Sequence, residues 1–395
     1  MTATVADRAQ KPMETAAAAA VQVAPVARMT VSTIRLPVTA RRSHGIGDVA
    51  DSIDNVVLRL ETGDGLVGWG EAAPWALFTG TAEANAAALD RYLRPLIVGS
   101  DPRRISETMA RADTAVVGHP EAKAALETAL LDILGKASGL PVAELLGGRC
   151  RDSIPLSVSL ADPDFGADLA LAERLVADGI GLFKLKAGFA DHAFDVHRLE
   201  TLRERFPQVA LRVDYNQGLV AHEALRRLRD IEAFAPDFIE QPLPAAQWDG
   251  MAEIARNLDT PILADESVFT PADALRATQS RIADLFSIKI MKSGGLRRAQ
   301  TVAEIAAAAG IACYGGDMFE TGLAHLAGTH LIAATPNISL GCEFYQARYY
   351  LAEDILATPF PIEDGAVVVP TTPGLGIEVD EAVLGRIALE TRGGT

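Results

Sequence analysis

Between residues 30 and 71 apolar and polar positions alternate at the two-residue period of β-strands, with β-branched runs at 31–38 and 55–60. Thr62-Gly63-Asp64-Gly65 supplies hairpin chemistry before a further run at 66–69. The pattern predicts a small antiparallel sheet. The period then changes. Ala122, Ala125, Leu126, Ala129, Leu130, Ile133 and Leu134 recur at helical spacing, with Gly135 and Gly139 closing the stretch. Sheet and following helices form an α+β domain over 28–150.

Beyond Arg151 short apolar strands recur with amphipathic helices between them. The predicted strands are 154–158, 182–186, 210–214, 237–240, 261–265, 285–289, 311–314 and 338–343, with helices such as 221–233 and 296–309 between them. Eight strands so spaced predict an α/β fold, a parallel TIM-type barrel over 151–363. The structural alternative, a doubly wound open sheet, announces a dinucleotide with GxGxxG after an early strand, and no such run occurs. From Asp364 onward the sequence is again hairpin-like and is expected to return to the first domain. Residues 1–27 are Ala- and Val-rich, but Glu14 stands where a secretory signal wants a basic flank, so they read as a disordered tail or an over-long start, with Met13 and Met29 as later starts.

Composition narrows the function. A chain of 395 residues suits two domains, and 49% hydrophobic with 22% charged residues suits a globular enzyme. A formal charge of −16 argues against nucleic acid and anionic membranes as partners. Cys150, Cys313 and Cys342 lack CxxC spacing, which fits a reducing cytoplasm, and no apolar run is long enough to span a bilayer.

The chemistry lies in where charge falls. Lys184, Lys186, Asp214, Glu240, Asp265, Lys289 and Glu343 all sit at or just past predicted strand ends, which in a barrel form the one face that carries active sites. Lys184 and Lys186 are two apart, so both point inward from one strand. A lone pair of this kind more often marks a solvated edge strand. Asp214, Glu240 and Asp265 are 26 and 25 residues apart, about one βα unit each, so neighbouring strands present three carboxylates side by side. Three anions in a partly dry site repel unless a cation neutralises them, and an all-oxygen set selects Mg²⁺ or Mn²⁺ over zinc. Any one of these acids alone is better read as a helix cap. Lys289, 24 residues past Asp265, faces the cavity opposite the first two lysines. Such an arrangement suits an enolate beside a carboxylate, with metal stabilising charge and lysine moving the proton.

These residues lie in Phe183-Lys184-Leu185-Lys186, Val213-Asp214-Tyr215-Asn216-Gln217, Ile239-Glu240-Gln241-Pro242, Ala264-Asp265-Glu266-Ser267 and Ile288-Lys289-Ile290-Met291-Lys292-Ser293-Gly294-Gly295. In this order and spacing the chain resembles the muconate lactonizing enzyme (muconate cycloisomerase) subgroup of the enolase superfamily over about residues 30–380. The resemblance implies a (β/α)7β-type barrel capped by an α+β domain that the N-terminal region and the tail from 364 to 395 form together. It implies Asp214, Glu240 and Asp265 as ligands of Mg²⁺ or Mn²⁺ and Lys186 and Lys289 as the acid/base pair. Lys184 is expected near the substrate carboxylate, depressing the pKa of Lys186. Asn216, Glu266, Glu320 and Glu343 are expected to support ligands, lysine or substrate.

Absences place the chain within the family. Mandelate racemase-like members carry a histidine where this chain has Tyr314-Gly315-Gly316-Asp317, and dipeptide epimerase-like members carry Asp-x-Asp where it has Gly341-Cys342-Glu343-Phe344-Tyr345. That segment, with Leu351 to Leu356, looks more like the cycloisomerases, although Gln346-Ala347-Arg348 departs from their pattern. Capping loops at 40–51 and 73–81 are expected to choose the substrate, through Arg41, Arg42 and His44 as carboxylate partners and Trp75 or Phe78 as walls; an exposed basic loop and a domain-packing aromatic are the bland alternatives. His192, His197, His222, His325 and His330 are expected at surface or core positions. The expected reaction is lactonization of cis,cis-muconate or a related small dicarboxylate. Racemisation, epimerisation or elimination at an α carbon is the rival, and a non-catalytic binding barrel a third reading. The resemblance also implies a homo-oligomer.

Overall fold

The computed structural model describes residues 21–393. Strands Val26–Pro37, Ser52–Thr62 and Val67–Ala72 pair antiparallel in sequence order, and Ala388–Arg392 joins the outer edge of the first. The first strand starts inside the stretch expected as a tail, with Val26 buried; residues 1–20 lie outside the described residues. Helix Pro120–Ser138 lies on the sheet and is buried nearly all round. Gly68 and Gly70 let it approach: a Cβ there would stand 2.2 and 2.0 Å from the carbonyl oxygens of Ala129 and Ala125. A β-carbon does not fit at that distance, so helix and strand touch backbone to backbone.

Eight parallel strands follow in strict neighbour order: Val158–Leu160, Leu182–Lys186, Ala210–Asp214, Ile239–Glu240, Ile262–Ala264, Leu285–Ile288, Ala312–Gly315 and Ile338–Cys342. We refer to them as the first to eighth barrel strands. The barrel closes where Leu156 bridges Cys342 in parallel and Ser157 N donates to Cys342 O at 2.8 Å.

Two expectations are corrected. The predicted strand 154–158 is split: Ser153–Pro155 pairs antiparallel with Ala366–Val368, and the barrel strand begins only at Val158. Pro155 lacks an amide donor, which suits a strand end. The tail, accordingly, does not return whole to the first domain. Its hairpin, Ile362–Glu363 with Ala366–Val368, extends the entry to the barrel, and only Ala388–Arg392 pairs with the N-terminal sheet. Between them Leu375 N donates to Asp132 Oδ1 of the capping helix at 2.9 Å.

Candidate active site

Register sets the floor of the site. Lys186 lies level with Asp214, and Asp214 with Glu240, on neighbouring strands. Leu263 is level with Glu240, so Asp265, two residues on, repeats the inward direction one step higher. Asp214, Glu240 and Asp265 are all buried.

Their partners are lysines. Lys186 Nζ meets Asp214 Oδ2 at 2.6 Å, while Lys289 and Lys292 grip the two oxygens of Asp265 at 2.6 Å each. Lys184 Nζ contacts Glu240 Oε2 at 3.0 Å, Asp214 Oδ2 at 3.3 Å and Glu343 Oε2 at 2.5 Å. Lys184 is buried among three protein carboxylates, one of which, Glu343, lines the cavity. Burial opposes its charge, but Glu240, Glu343 and Asp214 outweigh that and raise its pKa well above the ordinary value. Burial likewise opposes charge on Lys289, and Asp265, Glu240 and Glu266 raise its pKa. Burial pushes Asp265 up, yet Lys289 and Lys292 hold it below the usual carboxylate range.

The loops after these strands are strained where they aim side chains. Asn216, Gln217 and Gln241 have φ of +39°, +67° and +33°, in the left-handed region that non-glycine residues rarely enter. Asn216 N donates to Asp214 Oδ1 at 2.8 Å and its side-chain amide to Glu266 Oε1 at 3.2 Å, so the two expected supports meet each other. Gln241 Oε1 accepts from the amides of Asp265 and Ser267 at 3.0 and 3.1 Å, which orients the third acid. Nothing in the sequence reading singled out Gln241 or Lys292, although both lie inside the quoted motifs.

The cavity over this floor is lined by Lys186, Lys289, Asn216, Glu266, Glu343 and Asp317 below, and roofed by His44, Trp75, Phe78, Met318 and Phe319, with Tyr345 and Gln346 at one side. Its free volume is about 30 Å³, far below the roughly 300–1,000 Å³ of common ligand pockets, so the roof must move for a ligand to fit. His44, Trp75 and Phe319 pack edge to face at centroid distances of 5.1, 5.7 and 5.4 Å. The loop bearing His44 reaches the barrel because of Gly45: a Cβ there would stand 2.0 Å from Tyr215 O. Gly316 does the same for Lys289, whose Cε would lie 2.8 Å from a Cβ at that position.

Of the expected loop contacts, His44, Trp75 and Phe78 reach the cavity and the two arginines do not. Arg41 pairs with Asp48 on the surface. Arg42 is buried, donating to Ser159 O and Tyr345 Oη at 2.9 and 3.0 Å and stacking on Tyr350. Glu343 lines the cavity and accepts from Ser159 Oγ, whereas Glu320 stands behind the wall beside His325. His325 and His330 are fully buried.

The donor chemistry of the floor fits a divalent cation. Glu240 Oε1 is buried with no hydrogen-bond partner, and burial together with the charge of Asp214 pushes its carboxyl up to about 7. A carboxylate held so unfavourably is what a hard cation relieves, and all three acids offer oxygen alone.

Comparison with known proteins agrees with this geometry. Residues 30–147 match the model of the mandelate racemase / muconate lactonizing enzyme N-terminal domain and residues 167–383 that of the enolase C-terminal domain-like family. Muconate cycloisomerase 1 of Acinetobacter baylyi is 35% identical over 359 residues, covering 89% of this chain and 97% of its own. The crystal structure of a muconate cycloisomerase from Azorhizobium caulinodans is 49% identical, with a TM-score of 0.82 over 93% of this chain and 99% of that one. An N-succinyl Arg/Lys racemase from Bacillus cereus, 30% identical, superposes with a TM-score of 0.89 over 94% of this chain and 100% of its own, so the fold by itself does not choose among reactions. With both halves matched and the strand-end lysines and acids in register, the chain belongs to the mandelate racemase/muconate lactonizing enzyme family, within the muconate lactonizing subgroup of the enolase superfamily.

Proposed function

We propose that this protein is a cycloisomerase that interconverts cis,cis-muconate, or a closely related dicarboxylate, and its lactone, with Mg²⁺ or Mn²⁺ held by Asp214, Glu240 and Asp265. The observation that carries the reading is the placement of Lys186 at the end of the second strand and Lys289 just past the end of the sixth strand of an eight-stranded barrel, on opposite sides of one cavity beside three buried acids. The curated relatives named for muconate cycloisomerisation support the substrate class.

In the lactonizing direction one carboxylate oxygen forms a bond to the carbon β to the other carboxylate, and the π electron pair of that alkene moves toward this second carboxylate as an enolate. Lys186 then gives its proton to the carbon α to that carboxylate; in the reverse direction the same amine removes it. Lys289 presents a second ammonium from the opposite side and stabilises negative charge there. When bound, the cation supplies positive charge where the enolate oxygens develop it. Trp75, Phe78 and Phe319 exclude water from the developing charge, which strengthens each of these interactions.

The test follows the diene absorbance of cis,cis-muconate with enzyme and Mn²⁺ or Mg²⁺, then with chelator. Turnover that stops on chelation is expected. Absence of turnover with metal, together with deuterium exchange α to a carboxylate of hydroxy or amino acid derivatives in D₂O, would overturn the reading in favour of racemisation.

A further inference from the structure

Past the seventh barrel strand the chain turns through Asp317 and Glu320 into helix Gly322–Ala334, whose first turn carries His325. All three side chains are buried, His325 completely. Neither ring nitrogen of His325 has a hydrogen-bond partner, and neither has Asp317 Oδ2. An imidazole with two unpaired nitrogens in the protein interior is costly, and such a group calls for a ligand or an ion.

The surroundings hold the ring in place. It stacks on Phe344 at 4.9 Å and 20°, with Phe360 edge-on at 5.6 Å. Its Nε2 stands 3.6 Å from Glu320 Oε2 and 3.8 Å from Asp317 Oδ2, too far for hydrogen bonds. Met318 N donates to the same Glu320 oxygen at 2.5 Å and so fixes that carboxylate. One ligand atom from each residue can be chosen so that all three lie within 4.8 Å of one another. A four-coordinate ion with bonds of about 2.1 Å sets its ligands about 3.4 Å apart, close to the separations from His325.

We propose that Asp317, Glu320 and His325 form a second cation site, distinct from the three strand-end acids, that takes a Zn²⁺-class ion. One imidazole and two carboxylates with a fourth position left to water suit zinc or cobalt, whereas the all-oxygen floor suits magnesium or manganese. Asp317 also lines the substrate cavity, so an ion here stands one side chain away from the reacting molecule.

The experiment titrates the full chain, in excess Mg²⁺, with Zn²⁺ by calorimetry and with Co²⁺ by the visible absorption of the four-coordinate ion. One equivalent is expected that persists in Asp265→Asn and weakens at least about a hundredfold in His325→Leu and in Asp317→Asn, since removing a ligand costs no less than removing a residue behind one. Circular dichroism verifies that each variant is folded, and Asp317→Asn, nearly isosteric, carries the test if His325→Leu does not fold. The proposal is overturned if no equivalent survives Asp265→Asn, or if the extra one survives loss of His325 or, where that variant is unfolded, of Asp317.

Discussion

The floor of the cavity is charged and is built from strand ends one βα unit apart, level by parallel register. Its roof is largely aromatic and is built from three loops distant in sequence, bearing His44, Trp75 with Phe78, and Phe319. In the floor Asp214, Glu240, Asp265 and Glu343 are each held by a lysine, so geometry is set by strong, short-range pairs. In the roof, edge-to-face contacts worth about 0.5–1.5 kcal/mol each hold the closure, which suits a part that must open.

The largest break is in the floor. Lys186→Ala is expected to lower kcat by about 10²–10⁴-fold, the usual contribution of a positioned acid/base, while leaving metal affinity within a few-fold; diene absorbance and calorimetry check the two halves. Next comes Asp265→Asn, which strands Lys289 and Lys292 without their carboxylate. Breaking a buried pair of this kind costs about 3–5 kcal/mol, read from urea unfolding without metal, and metal binding at the floor should disappear with it.

The seam between the two domains gives a pH test. His330 Nδ1 accepts from Ala143 N at 3.3 Å and its Nε2 faces Leu375 O at 3.1 Å, both of which suit the neutral ring. Burial lowers its pKa from 6.5 to about 4. Below pH 6.5 the unfolded chain therefore binds a proton that the folded chain refuses, and the stability present above that pH is lost as pH falls toward 4. The loss reaches about 3 kcal/mol, and His330→Gln should flatten the slope in urea unfolding between pH 7 and 4.5.

The smallest effect sharpens the contrast. Trp75→Ala removes two roof contacts and is expected to lower kcat/KM about tenfold, roughly 1.4 kcal/mol, with Mg²⁺ affinity unchanged. A comparable loss of metal binding would show that roof and floor are not separate.

What the sequence alone determined is the part governed by short-range periodicity. Strand side chains alternate and parallel strands recur once per βα unit, so the spacing of Lys186, Asp214, Glu240, Asp265 and Lys289 was enough to place the five on one barrel face. Only the tertiary structure decided what depends on close approach between distant segments. Gly45 and Gly316 matter because of atoms they would collide with, from Tyr215 and Lys289, and no local pattern announces that. Arg42 was expected as a substrate contact and is instead buried under Tyr345 and Tyr350. The tail was legible as hairpin, but not its partner, because strand pairing is chosen by long-range packing and not by the strand itself.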